Sequence, residues 1–229
     1  MEIIPGVSLV DGVEANVYIL EFPDHLTLVD TGLPSNAGRI HDCINKLGRK
    51  PLDVRNIVLT HCHVDHTGNV RALKRSTGAR LLVHEKDAPF VSGREDLPLP
   101  KGLDETMRKA MSSFQIEYAE PDALLEDGDE IDGFEVIHVP GHTPGSISLY
   151  SEERGILFAG DAIRYLDGRL QGPPEPYTPD MDLAIRSLKK LTGIEYDVML
   201  SGHGTPLMPE ASERVRVFCK ALFQSSDNA

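Results

Sequence analysis

The strongest constraint on the fold is one short stretch, NIVLTHCHVDHTGNV at residues 56–70, where metal-capable side chains follow a predicted buried strand. Within it lie four candidate ligands: His61, His63, Asp65 and His66. Side chains at i and i+2 leave an extended segment on the same side, so His61 and His63 are expected to point together. Asp65 falls where the next helix begins, a position at which the helix dipole stabilises a carboxylate. A single tetrahedral ion does not need four ligands from so short a turn, so the pattern indicates two ions.

Three further candidates lie at the ends of predicted strands, each beside a glycine: His142 in VPGHTPGS, Asp161 in LFAGDA and His203 in LSGHGTP. Glycine allows a backbone to turn sharply and to approach closely, which suits a crowded metal pocket. Imidazole and carboxylate ligands without cysteine indicate zinc, iron or manganese in a catalytic site rather than a closed structural one.

The remaining pattern alternates extended apolar runs with amphipathic ones. NVYILE and HLTLVDTG predict a hairpin, and SNAGRIHDCINKLG predicts a helix. RNIVLTH, GNVRALKRSTG and ARLLVHE predict a strand, a helix closed by Gly78 and a strand. The second half repeats this layout with the strands DALLEDGDEI, FEVIHVPG, SISLYSEE, GILFAGDA and YDVMLSG, and with helices over 181–192 and 209–223. Two strand-rich halves with helices predict two sheets packed face to face with helices outside.

Residues 86–119 do not follow this alternation of extended and amphipathic segments. They contain three prolines, followed by a helix predicted over about 103–115. A segment of this kind often lies over a functional site, so we predict a helical lid at 86–119. The alternative is an ordinary connecting segment.

Composition narrows the class of partner. The net charge of −13, from 23 basic and 36 acidic residues, repels nucleic acid and anionic membranes. No apolar run approaches the roughly 18–20 residues that span a bilayer, and no basic region precedes an apolar stretch at the N-terminus. Three cysteines without a CxxC pair are typical of reduced thiols. We therefore expect a cytoplasmic protein with a small-molecule substrate, no nucleic acid and no membrane partner; the oligomeric state stays open.

HxHxDH at 61–66, followed in order by GHTPG, GD and GHG and preceded by LVDTG at 28–32, resembles the metallo-β-lactamase superfamily over essentially the whole chain. The resemblance implies an α/β fold, an αββα sandwich of two mixed β-sheets flanked by helices. It implies one domain over residues 1–229, with the metals at the edge between the sheets.

The resemblance also implies a ligand set for two divalent ions, expected to be Zn²⁺ with Fe or Mn as alternatives. One ion would be held by His61, His63 and His142, and the other by Asp65, His66 and His203. Asp161 would bridge the two ions, and Asp65 and Asp161 are the predicted catalytic carboxylates. True β-lactamases of the superfamily lack the bridging aspartate, whereas the dinuclear hydrolases, such as glyoxalase II and the lactonases, have it.

These features predict a zinc-dependent metallo-hydrolase that uses a metal-bridging hydroxide to cleave a small ester, thioester, lactone or phosphoester. The alternatives are a mononuclear iron persulfide-type dioxygenase and a promiscuous hydrolase with weak β-lactamase activity. A metal-binding protein without catalysis is a further alternative. Glyoxalase II-like enzymes are expected to have a helical glutathione-binding region after the metal-binding domain. Only 26 residues follow His203, so that substrate mode is not expected.

Four residues are predicted to bind substrate: Arg164, Tyr165, Tyr177 and Phe90. The lactonases are expected to have a tyrosine three positions after the bridging aspartate, where this chain has Arg164 with Tyr165 next. Arg164 suits a substrate carboxylate or phosphate, with a surface ion pair as the alternative.

Several other residues near the motifs have predicted supporting roles. Asp30 in VDTG is predicted to orient the histidine turn, with turn capping as the alternative. Cys62, which alternates with the two histidines, is predicted to pack away from the metals. Structural roles are expected for three histidines outside the motifs: His25, His41 and His138.

Overall fold

The computed structural model describes residues 1–98 and 117–226, and these residues form two compact units. The first unit contains residues 1–97 and 117–124, and the second contains residues 125–226. The prediction of a helix at about 103–115 lies outside the described residues. The predictions of a single domain over 1–229 and of a lid at 86–119 stay predictions.

The first unit is built on a seven-stranded sheet whose spatial order follows the sequence order. Its strands are β1 (Glu2–Ile4), β2 (Val7–Leu9), β3 (Tyr18–Glu21), β4 (Leu26–Val29), β5 (Val54–Val58), β6 (Arg80–His84) and β7 (Ala123–Leu125). The first four strands pair antiparallel, whereas β4, β5 and β6 pair parallel. Its helices are α1 (Ala37–Lys46), α2 (Val64–Thr67), α3 (Val70–Thr77) and α4 (Ala88–Val91), with a short 3-10 turn at Pro51–Asp53.

Helices α1 and α3 bury one apolar face each in the hydrophobic core of this unit. In α1 the buried residues Ile40, Cys43 and Ile44 recur at helical spacing. In α3 the buried apolar residues are Val70 and Leu73. The parallel strand β4 is buried along its whole length, and β5 is buried except at Arg55, as is typical of strands in the interior of a parallel sheet.

The second unit contains a five-stranded sheet and a separate two-stranded hairpin. The strands are β8 (Glu130–Ile131), β9 (Phe134–His138), β10 (Ile147–Ser151), β11 (Ile156–Gly160), β12 (Arg164–Leu166), β13 (Arg169–Gln171) and β14 (Val198–Ser201). The order in the sheet is β14-β11-β10-β9-β8, and β12 and β13 form the hairpin. Only β11 and β14 pair parallel. Helices are α5 (Met181–Ser187), α6 (Lys189–Thr192) and α7 (Ala211–Ser226), with a 3-10 turn at Glu175–Tyr177. The prediction of two sheets with helices is confirmed, and both large sheets are mixed.

Two predicted elements are divided in the structure. The segment DALLEDGDEI forms β7 and β8, in different sheets, because Asp129 accepts a hydrogen bond from the backbone of Glu126 and closes a turn between them (2.8 Å). The helix predicted over 181–192 is interrupted at Leu188. There the Ser187 hydroxyl makes contacts with the carbonyls of Leu183 and, from outside the helix, Pro140. Such contacts from a serine hydroxyl favour a bend in a helix.

The hairpin and helices predicted in the first half are confirmed. β3 and β4 pair antiparallel, and Gly78 ends α3 in the left-handed conformation with φ 72°. The helix predicted over 209–223 begins at Ala211. Among the helices of residues 1–98 and 117–226, none has the length and apolar composition needed to cross a membrane.

Asn69, at the start of α3, clamps the turn that follows β4. Its side-chain Nδ2 donates hydrogen bonds to the carbonyls of Thr31 and Leu33, each at 2.6 Å. The backbone N–H and the hydroxyl of Thr31 both donate to the carbonyl of His66, at 2.7 and 2.8 Å. The loops that follow β4 and β5 are therefore tied together through buried polar contacts.

We predict that Asn69→Ala lowers the free energy of unfolding by about 1–3 kcal/mol, because two buried carbonyls lose their donor. Asn45→Ala, on the exposed side of α1, is the matched control and is expected to change it by less than about 0.5 kcal/mol. Urea unfolding followed by circular dichroism measures both values. Equal destabilisation by the two variants would contradict the clamp.

Candidate metal centre

In the first unit the predicted ligands of the HxHxDH motif lie in the turn after β5 and in the short helix α2. The imidazoles of His61, His63 and His66 are buried, and the side chain of Asp65 is 29% exposed. The ring centroids of His61 and His66 are 4.0 Å apart, and those of His61 and His63 are 4.8 Å apart. These residues belong to groups of side chains that can hold a metal ion. The turn therefore brings its predicted ligands together.

The residue between the first two histidines lies in a different environment. Cys62 is buried in the hydrophobic core of the first unit, together with Cys43 and Leu59. This confirms the predicted packing role of Cys62. None of the three cysteines, all among the described residues, forms a disulfide, and burial raises the pKa of Cys219 to about 12.

Asp30 orients this turn, as predicted. Its Oδ1 accepts a hydrogen bond from the backbone N–H of Thr60 at 2.8 Å. Its Oδ2 accepts from the Thr60 hydroxyl at 2.7 Å and contacts Nδ1 of His66 at 2.8 Å. With Nδ1 of His66 bonded to a carboxylate, Nε2 is the nitrogen that can bind a metal.

In the second unit His142, Asp161 and His203 come together from three loops at strand ends. The Oδ2 atom of Asp161 lies 3.6 Å from Nε2 of His142 and 3.5 Å from Nε2 of His203. His142 and Asp161 are buried, and the His203 side chain is 26% exposed. One carboxylate oxygen therefore lies beside two imidazoles that the family resemblance is expected to place on different ions.

The glycine beside His203 permits this arrangement. Gly204 has φ 92°, and a Cβ atom there would overlap the carbonyl oxygen of Tyr165. That carbonyl accepts a hydrogen bond from the backbone of Thr205 at 3.0 Å. The close backbone approach predicted from the GHG sequence is confirmed at this position.

The donor chemistry in both units fits divalent metal ions. Two ligand atoms on a tetrahedral zinc ion are about 3.3 Å apart, because each lies about 2.0–2.1 Å from the metal. Nε2 of His66 lies 3.6 Å from Oδ2 of Asp65, and the two separations around Asp161 are 3.5 and 3.6 Å. These values exceed the roughly 2.7–3.2 Å of an ordinary hydrogen bond and are close to a ligand–ligand separation.

The four residues predicted to bind substrate have different environments. Arg164 begins β12, and its Nε and Nη2 both donate to the carbonyl of Gly172 in the same hairpin, at 3.1 and 3.0 Å. Burial lowers the pKa of Arg164 from its ordinary value, while the negative charge of Asp161 acts in the opposite direction. The Tyr165 hydroxyl accepts from Arg214 at 3.0 Å. Their assignment to substrate stays a prediction.

Of the other two residues predicted to bind substrate, Tyr177 is exposed and Phe90 packs against the core of the first unit. Tyr177 lies in the 3-10 turn after a proline-rich loop and is 37% exposed. Phe90 in α4 is partly buried against the hydrophobic core of the first unit. Both assignments also stay predictions.

Histidines outside the motifs make structural contacts. His25 stacks on Phe22 with ring centroids 4.6 Å apart. His41 contacts the hydroxyl of Ser76 at 2.9 Å. His138 contacts the carbonyl of Pro144 at 2.9 Å. The structural roles predicted for these three histidines are confirmed.

Two residues that the sequence analysis missed are Thr60 and Thr178. Their hydroxyls lie 3.0 Å from Nδ1 of His61 and of His142, respectively. The adjacency of Thr60 to His61 was a usable signal. Thr178 is 36 residues from His142, so no local pattern indicated it.

The fold agrees with comparisons to known proteins. A family model described as the metallo-beta-lactamase superfamily matches residues 10–203. The chain therefore belongs to the metallo-β-lactamase superfamily, and the predicted fold class is confirmed. It is a metal-dependent hydrolase of a superfamily that binds divalent metals.

Individual relatives are similar over most of their length. The chain is 32% identical over 215 residues to the probable metallo-hydrolase YflN of Bacillus subtilis (strain 168), covering 84% of this chain and 81% of the relative. It is 29% identical over 175 residues to the hydroxyacylglutathione hydrolase GloC of Haemophilus influenzae, covering 73% and 77%. The crystal structure of the metallo-beta-lactamase family protein TTHA1429 from Thermus thermophilus has a TM-score of 0.75 and 28% identity, covering 98% of this chain and 81% of that chain.

We predict that Asp30→Asn lowers the affinity of the protein for divalent metal by about 10–100-fold, because the carboxylate that orients His66 is lost. Asparagine tolerates the positive φ of 63° at this position, so the backbone is expected to be retained. Metal retained during competition with a chromogenic chelator measures the effect. Asp167→Asn, the same change at an exposed residue with φ 50°, is the control. Unchanged metal affinity in Asp30→Asn would contradict the role of the carboxylate.

Proposed function

We propose that the protein is a dinuclear zinc hydrolase. One Zn²⁺ ion would be held by His61, His63 and His142, and the other by Asp65, His66 and His203. Asp161 would bridge the two ions.

The observation that best supports a dinuclear centre is the position of Asp161. Its Oδ2 is almost equally distant from Nε2 of His142 and of His203, at 3.6 and 3.5 Å. In the proposed assignment these histidines bind different ions, so a carboxylate placed between them suits a bridging ligand. The presence of Asp161 separates this chain from the true β-lactamases that the sequence analysis considered, so weak β-lactamase activity is not the proposed native task.

The residues of the chain set the charge of the centre. When bound, the two ions supply a water whose pKa is lowered towards neutrality and a Lewis acid for the substrate oxygen. Asp65 and Asp161 remove two of the four positive charges and act as ligands, not as free bases. Asp30 keeps the His66 ring in place through its contact at 2.8 Å. The net positive charge that remains favours a substrate that develops negative charge as it reacts.

We further propose that the substrate is a small thioester with an anionic group. The relative GloC is a hydroxyacylglutathione hydrolase, which supports a thioester. Arg164 supports the anionic group, because its two observed bonds to Gly172 use only two of the five N–H donors of a guanidinium. The attraction between Arg164 and Asp161 indicates that this cation lies in the electrostatic field of the proposed centre. The reaction adds water across the thioester and releases a carboxylic acid and a thiol.

We also propose a cytoplasmic location and no nucleic-acid or membrane partner. The three buried cysteines, which form no disulfide, support a reducing compartment. The net charge of −13 supports a small-molecule substrate over a polyanion.

We predict two zinc ions per chain in the purified protein, measured by elemental analysis, and metal-dependent hydrolysis of thioesters. Asp161→Asn is expected to lower the metal content towards one ion and the hydrolysis rate by about 100-fold or more, because the bridging charge is lost. Asp182→Asn, an exposed change at the start of α5, is the control and is expected to alter neither value. One iron per chain, with oxygen uptake in the presence of a persulfide, would instead support the dioxygenase alternative.

We predict that Arg164→Gln lowers kcat/KM for the S-acetyl thioester of mercaptoacetate by about 10–100-fold, because a charge-assisted hydrogen bond is lost. Hydrolysis of the matched mercaptoacetamide thioester is expected to change little. Arg169→Gln, on the exposed strand β13 of the same hairpin, is the control. Thiol release detected with a chromogenic disulfide reports both rates, and an equal loss on both substrates would contradict an anion-binding role.

A further inference from the structure

Two threonine hydroxyls contact predicted ligand histidines in the same way, one in each unit. In the first unit Oγ1 of Thr60 lies 3.0 Å from Nδ1 of His61. In the second unit Oγ1 of Thr178 lies 3.0 Å from Nδ1 of His142. Thr60 and Thr178 are both buried, so bulk water does not compete strongly for these contacts.

In both cases the hydroxyl proton is already used. Thr60 Oγ1 donates to the carboxylate of Asp30 at 2.7 Å, and Thr178 Oγ1 donates to the carbonyl of Pro174 at 2.7 Å. Carboxylate and carbonyl oxygens only accept, and a hydroxyl has a single proton to give. Each threonine oxygen is therefore left as an acceptor towards the imidazole, and the imidazole Nδ1 must be the donor.

We propose that Thr60 and Thr178 are positioning residues that fix His61 and His142 in the tautomer with the proton on Nδ1. This tautomer leaves the lone pair on Nε2, the nitrogen that for His142 lies 3.6 Å from Asp161. The inference rests on the proposed function, in which the tautomer determines which nitrogen of each ring is the metal ligand.

The two threonines differ from Asp30 in the charge that they place beside a ligand. Asp30 contacts Nδ1 of His66 directly, so that ring is paired with a negative charge. His61 and His142 are paired with neutral hydroxyls, which orient the ring without adding charge. In the proposed assignment both of these rings would bind the same ion, and the only carboxylate ligand assigned to that ion is the bridging Asp161. The ion held by Asp65, His66 and His203 receives more negative charge.

The decisive experiment is an NMR measurement of the histidine tautomers in metal-free protein labelled with ¹⁵N at histidine. Wild-type protein is expected to have the Nδ1–H tautomer at His142, assigned by comparison with the His142→Gln protein. Thr178→Val keeps the shape of the side chain but removes the acceptor, so His142 is expected to move towards the Nε2–H tautomer while His61 is unchanged. Thr178→Ser, which keeps the hydroxyl, is expected to restore the wild-type spectrum. An Nε2–H tautomer at His142 in wild-type protein would overturn the proposal.

A second measurement uses the metal-loaded protein and separates positioning from a purely structural role. Thr178→Val is expected to weaken the binding of one ion of the pair by about 10–100-fold, and Thr178→Ser to restore it. The control is Thr192→Val, because the Thr192 hydroxyl also donates to a backbone carbonyl, that of Lys189 at 2.9 Å, in a segment without a predicted ligand. Equal metal affinity in Thr178→Val and wild-type protein would overturn the proposal.

The two measurements also separate failure of this inference from failure of the proposed function. The tautomer measurement requires neither bound metal nor turnover. A protein that hydrolyses no thioester can therefore still show the Nδ1–H tautomer at His142. Conversely, the metal-loaded protein could bind two ions while the metal-free protein has the Nε2–H tautomer at His142. That result would support the dinuclear centre and contradict the positioning role of the threonines.

Discussion

The buried carboxylate of Asp30 is the interaction on which the ligand turn of the first unit depends. It accepts hydrogen bonds from the backbone and hydroxyl of Thr60 and contacts His66, at 2.7–2.8 Å. Its φ of 63° turns the chain sharply after β4, a conformation that aspartate tolerates better than most residues. A buried carboxylate is stable only when it is hydrogen-bonded, so this network fixes the end of β4, the end of β5 and the helix α2 together.

The second unit positions its predicted ligands by a different means. His203 is held by close contact of the Gly204 backbone with Tyr165, and His142 is held by the hydroxyl of Thr178. Asp161 lies between the two imidazoles at 3.5 and 3.6 Å. Backbone contact and a neutral hydroxyl orient these rings. Among the described residues, Asp161 is the carboxylate that lies close to both imidazoles.

Features that depend on neighbours within a few residues could be predicted from the sequence. The spacing of His61 and His63 after an apolar strand indicated their convergence, and the alternation placed Cys62 in the core, where it lies. The VDTG sequence indicated that Asp30 orients the turn. The strand and helix pattern gave the α/β class with two sheets, because burial of alternating or helically spaced apolar residues is encoded locally. Element boundaries were less accurate, as the division at Leu188 shows.

The sequence alone therefore determined the types of ligand, their local geometry and the class of fold, since strand alternation and turn preference are properties of short segments. The tertiary structure decided which distant partners complete each contact. Thr178 reaches His142 across 36 residues, and Arg164 uses part of its guanidinium on Gly172 because β12 and β13 fold back as a hairpin. Such contacts arise from the path of the backbone in three dimensions, and a hydroxyl or carbonyl can serve as a partner from any position in the chain.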